Sequence, residues 1–88
     1  MIKWNEEKAE KVLAERGIDF NDISAEVALG NFAVRPVENQ DGHPGQLMIV
    51  VVLDDHAVCA PFVEEDNGDF FIKTAFKSRK WDKRRPLW

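Results

Sequence analysis

Leu47-Met48-Ile49-Val50-Val51-Val52-Leu53, followed by Asp54-Asp55 and then by His56 to Val63, is the stretch whose reading decides the fold. In an extended chain successive side chains alternate, so Leu47, Ile49, Val51 and Leu53 share one face and Met48, Val50 and Val52 the other. Both faces are apolar, which predicts a central strand covered on both sides. Asp54-Asp55 predicts a tight turn into a second strand, and residues 64–69, containing Asn67-Gly68, a second turn into a third strand over Phe70 to Phe76. The three form an antiparallel meander.

Upstream the period changes from two to that of a helix. Asn5 precedes Glu6 and Glu7, Ala9, Val12 and Leu13 follow at helical spacing, and Gly17 comes after Arg16, which predicts a capped helix over 6–16. Trp4 is set to pack over Ala9 as a hydrophobic staple. A second short helix, capped by Asn21 or Asp22, turns Ile23, Val27 and Ala28 inward and is closed by Gly30. Phe32, Ala33 and Val34 then open an extended segment that Pro36 limits to a sheet edge or a strand end. Residues 39–45, with Asp41-Gly42 and His43-Pro44-Gly45, read as loop. At the far end Ser78 caps a short basic helix that Pro86 stops. The expected fold is α+β: two N-terminal helices packed on a four-stranded antiparallel sheet, with a short basic C-terminal helix or tail.

Eighty-eight residues suffice for one domain with one modest core. The longest apolar run, Leu47 to Leu53, is seven residues, against the roughly 20 that cross a bilayer, so neither a membrane anchor nor export is expected. The single Cys59 forms no internal disulfide and suits a reducing, cytoplasmic setting. His56 and Cys59 stand three apart on a strand and point to opposite faces, and the acid-rich 64–69 turn lacks the ordered ligands of a calcium loop. No metal and no cofactor is expected.

Charge is divided sharply. Seven of the twelve lysines and arginines fall in the last sixteen residues, with Asp82 the only acid there, leaving five positive and fifteen negative charges in residues 1–72. A basic cluster on an acidic body suggests a local phosphate-facing patch rather than general adhesion to nucleic acid. On the expected last strand Phe70, Ile72, Thr74 and Phe76 share one face, and Phe71, Lys73, Ala75 and Lys77 the other. Lys73, Lys77, Arg79 and Lys80 are then the phosphate-contacting candidates, two on one strand face and two where a helix begins. A solvated face is the alternative. Phe71 is placed to stack a base or to cover a core edge. His56, beside the Asp54-Asp55 turn, is the candidate proton acceptor, with His43, Glu38 and Glu64 behind it. The chain has no tyrosine, which excludes a tyrosine general acid.

Trp4-Asn5-Glu6-Glu7-Lys8 leading to Arg16-Gly17-Ile18-Asp19-Phe20-Asn21-Asp22 resembles the opening of BrnT-type toxins, and Phe76-Lys77-Ser78-Arg79-Lys80 with Lys83-Arg84 is similar to their arginine-rich end. The resemblance implies a single RelE/ParE-like domain over 1–88. It also implies the toxin component of a type II toxin–antitoxin system, a metal-independent ribonuclease acting on messenger RNA and neutralised by a cognate antitoxin. Such toxins hold the RNA backbone so that a 2′-hydroxyl attacks the adjacent phosphate while cations stabilise the charge on phosphorus. Here Lys73, Lys77, Arg79 and His56 would carry the chemistry. Lys80, Lys83, Arg84, Arg85 and Phe71 would bind RNA, Lys83 to Arg85 pairing alternatively with an acidic antitoxin segment. Two other readings stand beside it: a non-catalytic module docking a protein through the basic tail, and an accessory protein self-associating through exposed Trp81 and Trp88.

Overall fold

The computed structural model describes residues 1–38 and 40–84. Its elements run β1 (Ile2–Trp4), α1 (Glu6–Arg16), α2 (Phe20–Ala28), β2 (Ala33–Pro36), β3 (Leu47–Leu53), β4 (His56–Glu64), β5 (Phe70–Ile72), β6 (Phe76–Lys77) and α3 (Arg79–Asp82). Among the described residues three helices, the last of them the expected short basic one, and a mixed, six-stranded sheet stand where four antiparallel strands were expected beneath two N-terminal helices. The sheet order is β1-β5-β4-β3-β2, with β6 also paired to β4. β1 is the parallel member, Ile2 to Trp4 running beside Phe70 to Ile72. Three residues are too few for alternation to announce a strand.

β3 is the central strand its two apolar faces require. Ile49 and Val51 join Val58, Ala60 and Phe62 of β4 beneath Val12 of α1 and Phe20 and Ile23 of α2. Met48 and Val50 face the other way, with Ala57 and Cys59, beneath Trp81 of α3. Asp54 and Asp55 turn the β3–β4 hairpin with φ of 50° and 65°, the left-handed pair that matches the twist of the strands.

α1 has the expected bounds because both ends are specified locally. The Asn5 side chain accepts from Lys8 N at 3.0 Å, and Gly17 closes the helix at φ 69°, where a residue without Cβ is favoured. α2 starts earlier than expected, since Asp19 rather than Asn21 or Asp22 is its cap, accepting from Asn21 N at 2.8 Å. Phe20 thereby becomes the buried first residue of α2, and Trp4 meets it edge to face at 5.8 Å between ring centres.

The last strand is broken. β5 pairs Ile72 with Phe62, and Lys73 N donates to Pro61 O at 2.8 Å. β6 pairs Phe76 with Cys59 and Lys77 with Val58. Thr74 and Ala75 therefore both stand against Ala60, one residue more than a regular ladder holds: a β-bulge. Arg16, at the end of α1, grips it, its guanidinium donating to Ala75 O at 2.8 Å and Thr74 Oγ1 at 3.1 Å.

Candidate functional site

The bulge rearranges the basic end. Antiparallel partners share a face, so Phe71 (opposite Val63) and Lys73 (opposite Pro61) lie on the face away from α1 and α2. Past the extra residue the alternation is inverted. Lys77, opposite Val58, falls on the helix-covered face, and Phe76, opposite Cys59, on the other. The expected sharing of one face by Lys73 and Lys77 is thus corrected, and Ala75, expected beside them, is fully buried among the helix-side core residues.

The register instead sets the positions of Lys77 and Arg79 near that of His56. Ser78 N donates to Ala57 O at 3.0 Å, so Arg79 enters α3 beside the start of β4. The register sets Lys77 and His56 on one face, one residue pair apart, a diagonal of about 7–8 Å. Asp82 completes the cluster: its Oδ1 accepts from Ala57 N at 2.6 Å, and its Oδ2 lies 3.8 Å from His56 Nδ1. His43 and Glu64 lie toward the opposite end of β4, Glu64 eight strand residues or about 26 Å from His56.

The remaining candidates scatter. Lys80 Nζ is 2.8 Å from Glu38 Oε2, so cation and candidate base neutralise one another. The Arg84 guanidinium lies 4.8 Å over the Trp81 ring, and Lys73 Nζ 5.8 Å from the half-buried Phe71 ring. Among the described residues Lys77, Arg79 and Lys83 form no ion pair. Ser78 caps α3 as expected, accepting from Trp81 N at 3.3 Å. That amide of the four-residue helix is therefore taken by Ser78 rather than offered to an anion. Trp81, expected to be exposed, is 7% accessible and seals the second core; Arg85, Pro86 and Trp88 lie outside the described residues. Among the described residues no three His, Cys, Asp or Glu side chains are grouped to hold a metal, and no helix is long and apolar enough to cross a membrane.

Sequence reasoning missed Asp82, Arg16 and Arg35. Asp82 carried a signal as the one acid in a cationic end. Arg16 read simply as a helix-end cation. Arg35, opposite Met48 on the face away from α1 and α2, carried none.

Bulge, inverted strand end and the short helix α3 belong to one α+β scaffold. No family model matches the chain, and no curated protein does. The crystal structure of the Brucella abortus ribonuclease toxin BrnT is similar to it with a TM-score of 0.63 at 20% identity, covering 88% of this chain and 94% of that one. The resemblance to BrnT-type toxins noted in the sequence is thus matched by similarity of fold.

Proposed function

We propose that the chain is the toxin of a type II toxin–antitoxin pair, a metal-independent endoribonuclease acting on messenger RNA in the cytoplasm from a single RelE/BrnT-like domain. The observation that carries this reading is the fold shared with a ribonuclease toxin over 88% of the chain. The meeting of His56, Lys77 and Arg79 at one end of β4 supports it.

His56 accepts the proton of an RNA 2′-hydroxyl as its oxygen attacks the adjacent phosphorus. The bond to the 5′-oxygen breaks, leaving a 2′,3′-cyclic phosphate on one fragment and, after protonation by water, a 5′-hydroxyl on the other. Lys77 and Arg79 stabilise the charge that builds on the phosphoryl oxygens. Asp82 stabilises the imidazolium. Lys73, with Phe71, Lys83 and Arg85, holds the flanking strand.

Incubation with end-labelled RNA in EDTA tests this. The parent should cut and Lys77→Ala/Arg79→Ala should lose at least about a hundredfold, the usual scale for a lost transition-state charge contact. Intact RNA in both lanes, with folded protein and ribosomes supplied in a parallel reaction, sinks the nuclease. It then favours the non-catalytic binding module, to which the Lys80–Glu38 pair already points by removing a cation from phosphate duty.

A further inference from the structure

The sheet face opposite α1 and α2 is only half covered. α3 lays Trp81 over Met48, Val50, Ala57 and Cys59, but Pro61, Val63, Phe71 and Phe76 continue the same face beyond it, with Val63 and Phe76 46% and 38% exposed. Two cavities, of about 660 and 380 Å³, share Val37, Glu38, Lys80 and Trp81 and so form one trough between the end of β2 and α3. Its floor is apolar: Val37, Met48, Pro61 and Phe76. Arg35, Lys80 and Arg84 stand along it, and Glu38 is the one acid among the described lining residues.

That acid is informative. Glu38 Oε2 accepts from Lys80 Nζ at 2.8 Å, with both side chains about half exposed. An exposed pair of this kind is weak and exchanges readily for a better-held carboxylate. Glu38 occupies the position that an incoming acidic group would take.

We propose that the trough docks an acidic, amphipathic segment of a protein partner, whose apolar side chains cover Pro61 and Phe76 and whose carboxylate displaces Glu38 from Lys80. This rests on the toxin reading in expecting a protein partner. Charge complementarity selects an acidic segment, and the floor selects a polypeptide over RNA. Nucleic acid without sequence preference is held by open aromatic faces and a cationic track. Here Trp81 is buried with Arg84 over its ring, Val37, Met48 and Pro61 present nothing to stack upon, and Phe76 is a single partly exposed ring rather than a track of them. They do present apolar surface whose removal from water drives association.

Fluorescence anisotropy with the full chain tests the proposal. The probes are a labelled peptide of repeated Leu-Glu-Glu-Leu-Leu-Glu-Glu and, separately, a labelled oligouridylate, both in EDTA. The peptide should bind. Glu38→Gln, which frees Lys80, should tighten it severalfold. Lys80→Ala and Arg84→Ala should each weaken it about tenfold, a loss that corresponds to one good polar contact. Lys11→Ala, on exposed α1, should leave it unchanged; circular dichroism verifies that every variant is folded. Peptide binding indifferent to Glu38→Gln and Lys80→Ala, absence of binding, or oligouridylate binding with this variant pattern while the peptide fails overturns the proposal. RNA cleavage separates the two readings. A chain that cuts RNA but ignores the peptide sinks the trough alone, whereas one that holds the peptide in this pattern and cuts nothing keeps the trough and sinks the nuclease.

Discussion

Arg16→Ala tests whether the grip of α1 on the bulge stabilises the inverted strand end. The guanidinium makes one part-buried bond, to Ala75 O at 2.8 Å, and one exposed bond, to Thr74 Oγ1 at 3.1 Å. A hydrogen bond from a charged donor contributes about 1.5–3 kcal/mol where water is excluded and much less where it competes. Taking the part-buried bond at the low end and the exposed one at a few tenths gives a loss of about 1.5–2 kcal/mol. In a domain of this size each kcal/mol moves the melting temperature by about 4–8 °C, so the variant should melt about 6–16 °C below the parent. Thermal unfolding followed by circular dichroism reads this directly. Thr74→Val, which removes only the exposed bond, should stay within about 4 °C. Arg16→Lys should fall between, because both bonds leave the one nitrogen Nη1, whose two N–H directions the planar guanidinium fixes, whereas a freely rotating ammonium loses more freedom in holding both acceptors. An Arg16→Ala variant melting within about 2 °C of the parent would refute the reasoning, and the bulge would need another cause.

Three further outcomes follow from the packing. Lys3, 2.9 Å from Asp69, holds that carboxyl below the usual carboxylate range chiefly by its hydrogen bond, and Asp69 raises the Lys3 ammonium in return. The Asp69 contribution is present above the unfolded carboxylate range and lost as pH falls through the lowered folded value. The Lys3 contribution is present below its ordinary value of 10.5 and lost as pH rises through the raised one. Melting curves of the parent and Asp69→Asn should differ at neutral pH and converge in acid; parallel curves would count against the clasp. Burial pushes the Cys59 thiol up to about 11, so a thiol reagent at mildly alkaline pH should label it only in urea, and rapid labelling of the folded chain would contradict its burial. Asp54→Val puts a β-branched residue at φ 50° and should lose about 1–2 kcal/mol in urea titration, where an unchanged midpoint would argue against the left-handed turn.

The legible parts of this fold are those whose signals are local and redundant. Asn5 and Gly17 bound α1 by capping alone, and seven consecutive apolar residues could fill only a strand buried on both faces. β1 escaped notice because Ile2 to Trp4 is too short to show a period, and its partner Phe70 to Ile72 lies more than sixty residues away. The bulge escaped because residue count is silent about which residue is extra. Strict alternation would have turned Phe76 toward the helices beside Val58; instead Ala75 fills that layer, fully buried next to Ala60. Two alanines facing each other beneath α1 leave a space that a phenylalanine would overfill, at a cost of about 1–3 kcal/mol. Choosing the smaller residue displaces Phe76 and Lys77 to the faces opposite those expected.

That displacement changes what the charge division means. In the sequence the split is between a body and an end, but in space it also follows the two layers. Glu6, Glu7, Glu10 and Glu15 are exposed on α1, with Asp22 on α2, while Arg35, Lys80 and Arg84 line the trough on the far side of the sheet. An anionic partner approaching the helix layer meets like charge, and one approaching the open face meets cations over an apolar floor. Lys77 belongs to neither population. The bulge detaches it from Lys73 and brings it to His56 and Arg79, so that one inserted residue separates the cations suited to holding a partner from those suited to acting on a phosphate. Deleting Thr74 leaves Ala75 opposite Ala60 in an unbroken ladder and keeps Lys77 beside Val58, so RNA cleavage should survive that deletion. Changing Lys77 to Ala in the deletion variant should then remove cleavage while peptide docking on Lys80 and Arg84 persists. Loss of both activities together would show that the two sites are not separable in this way.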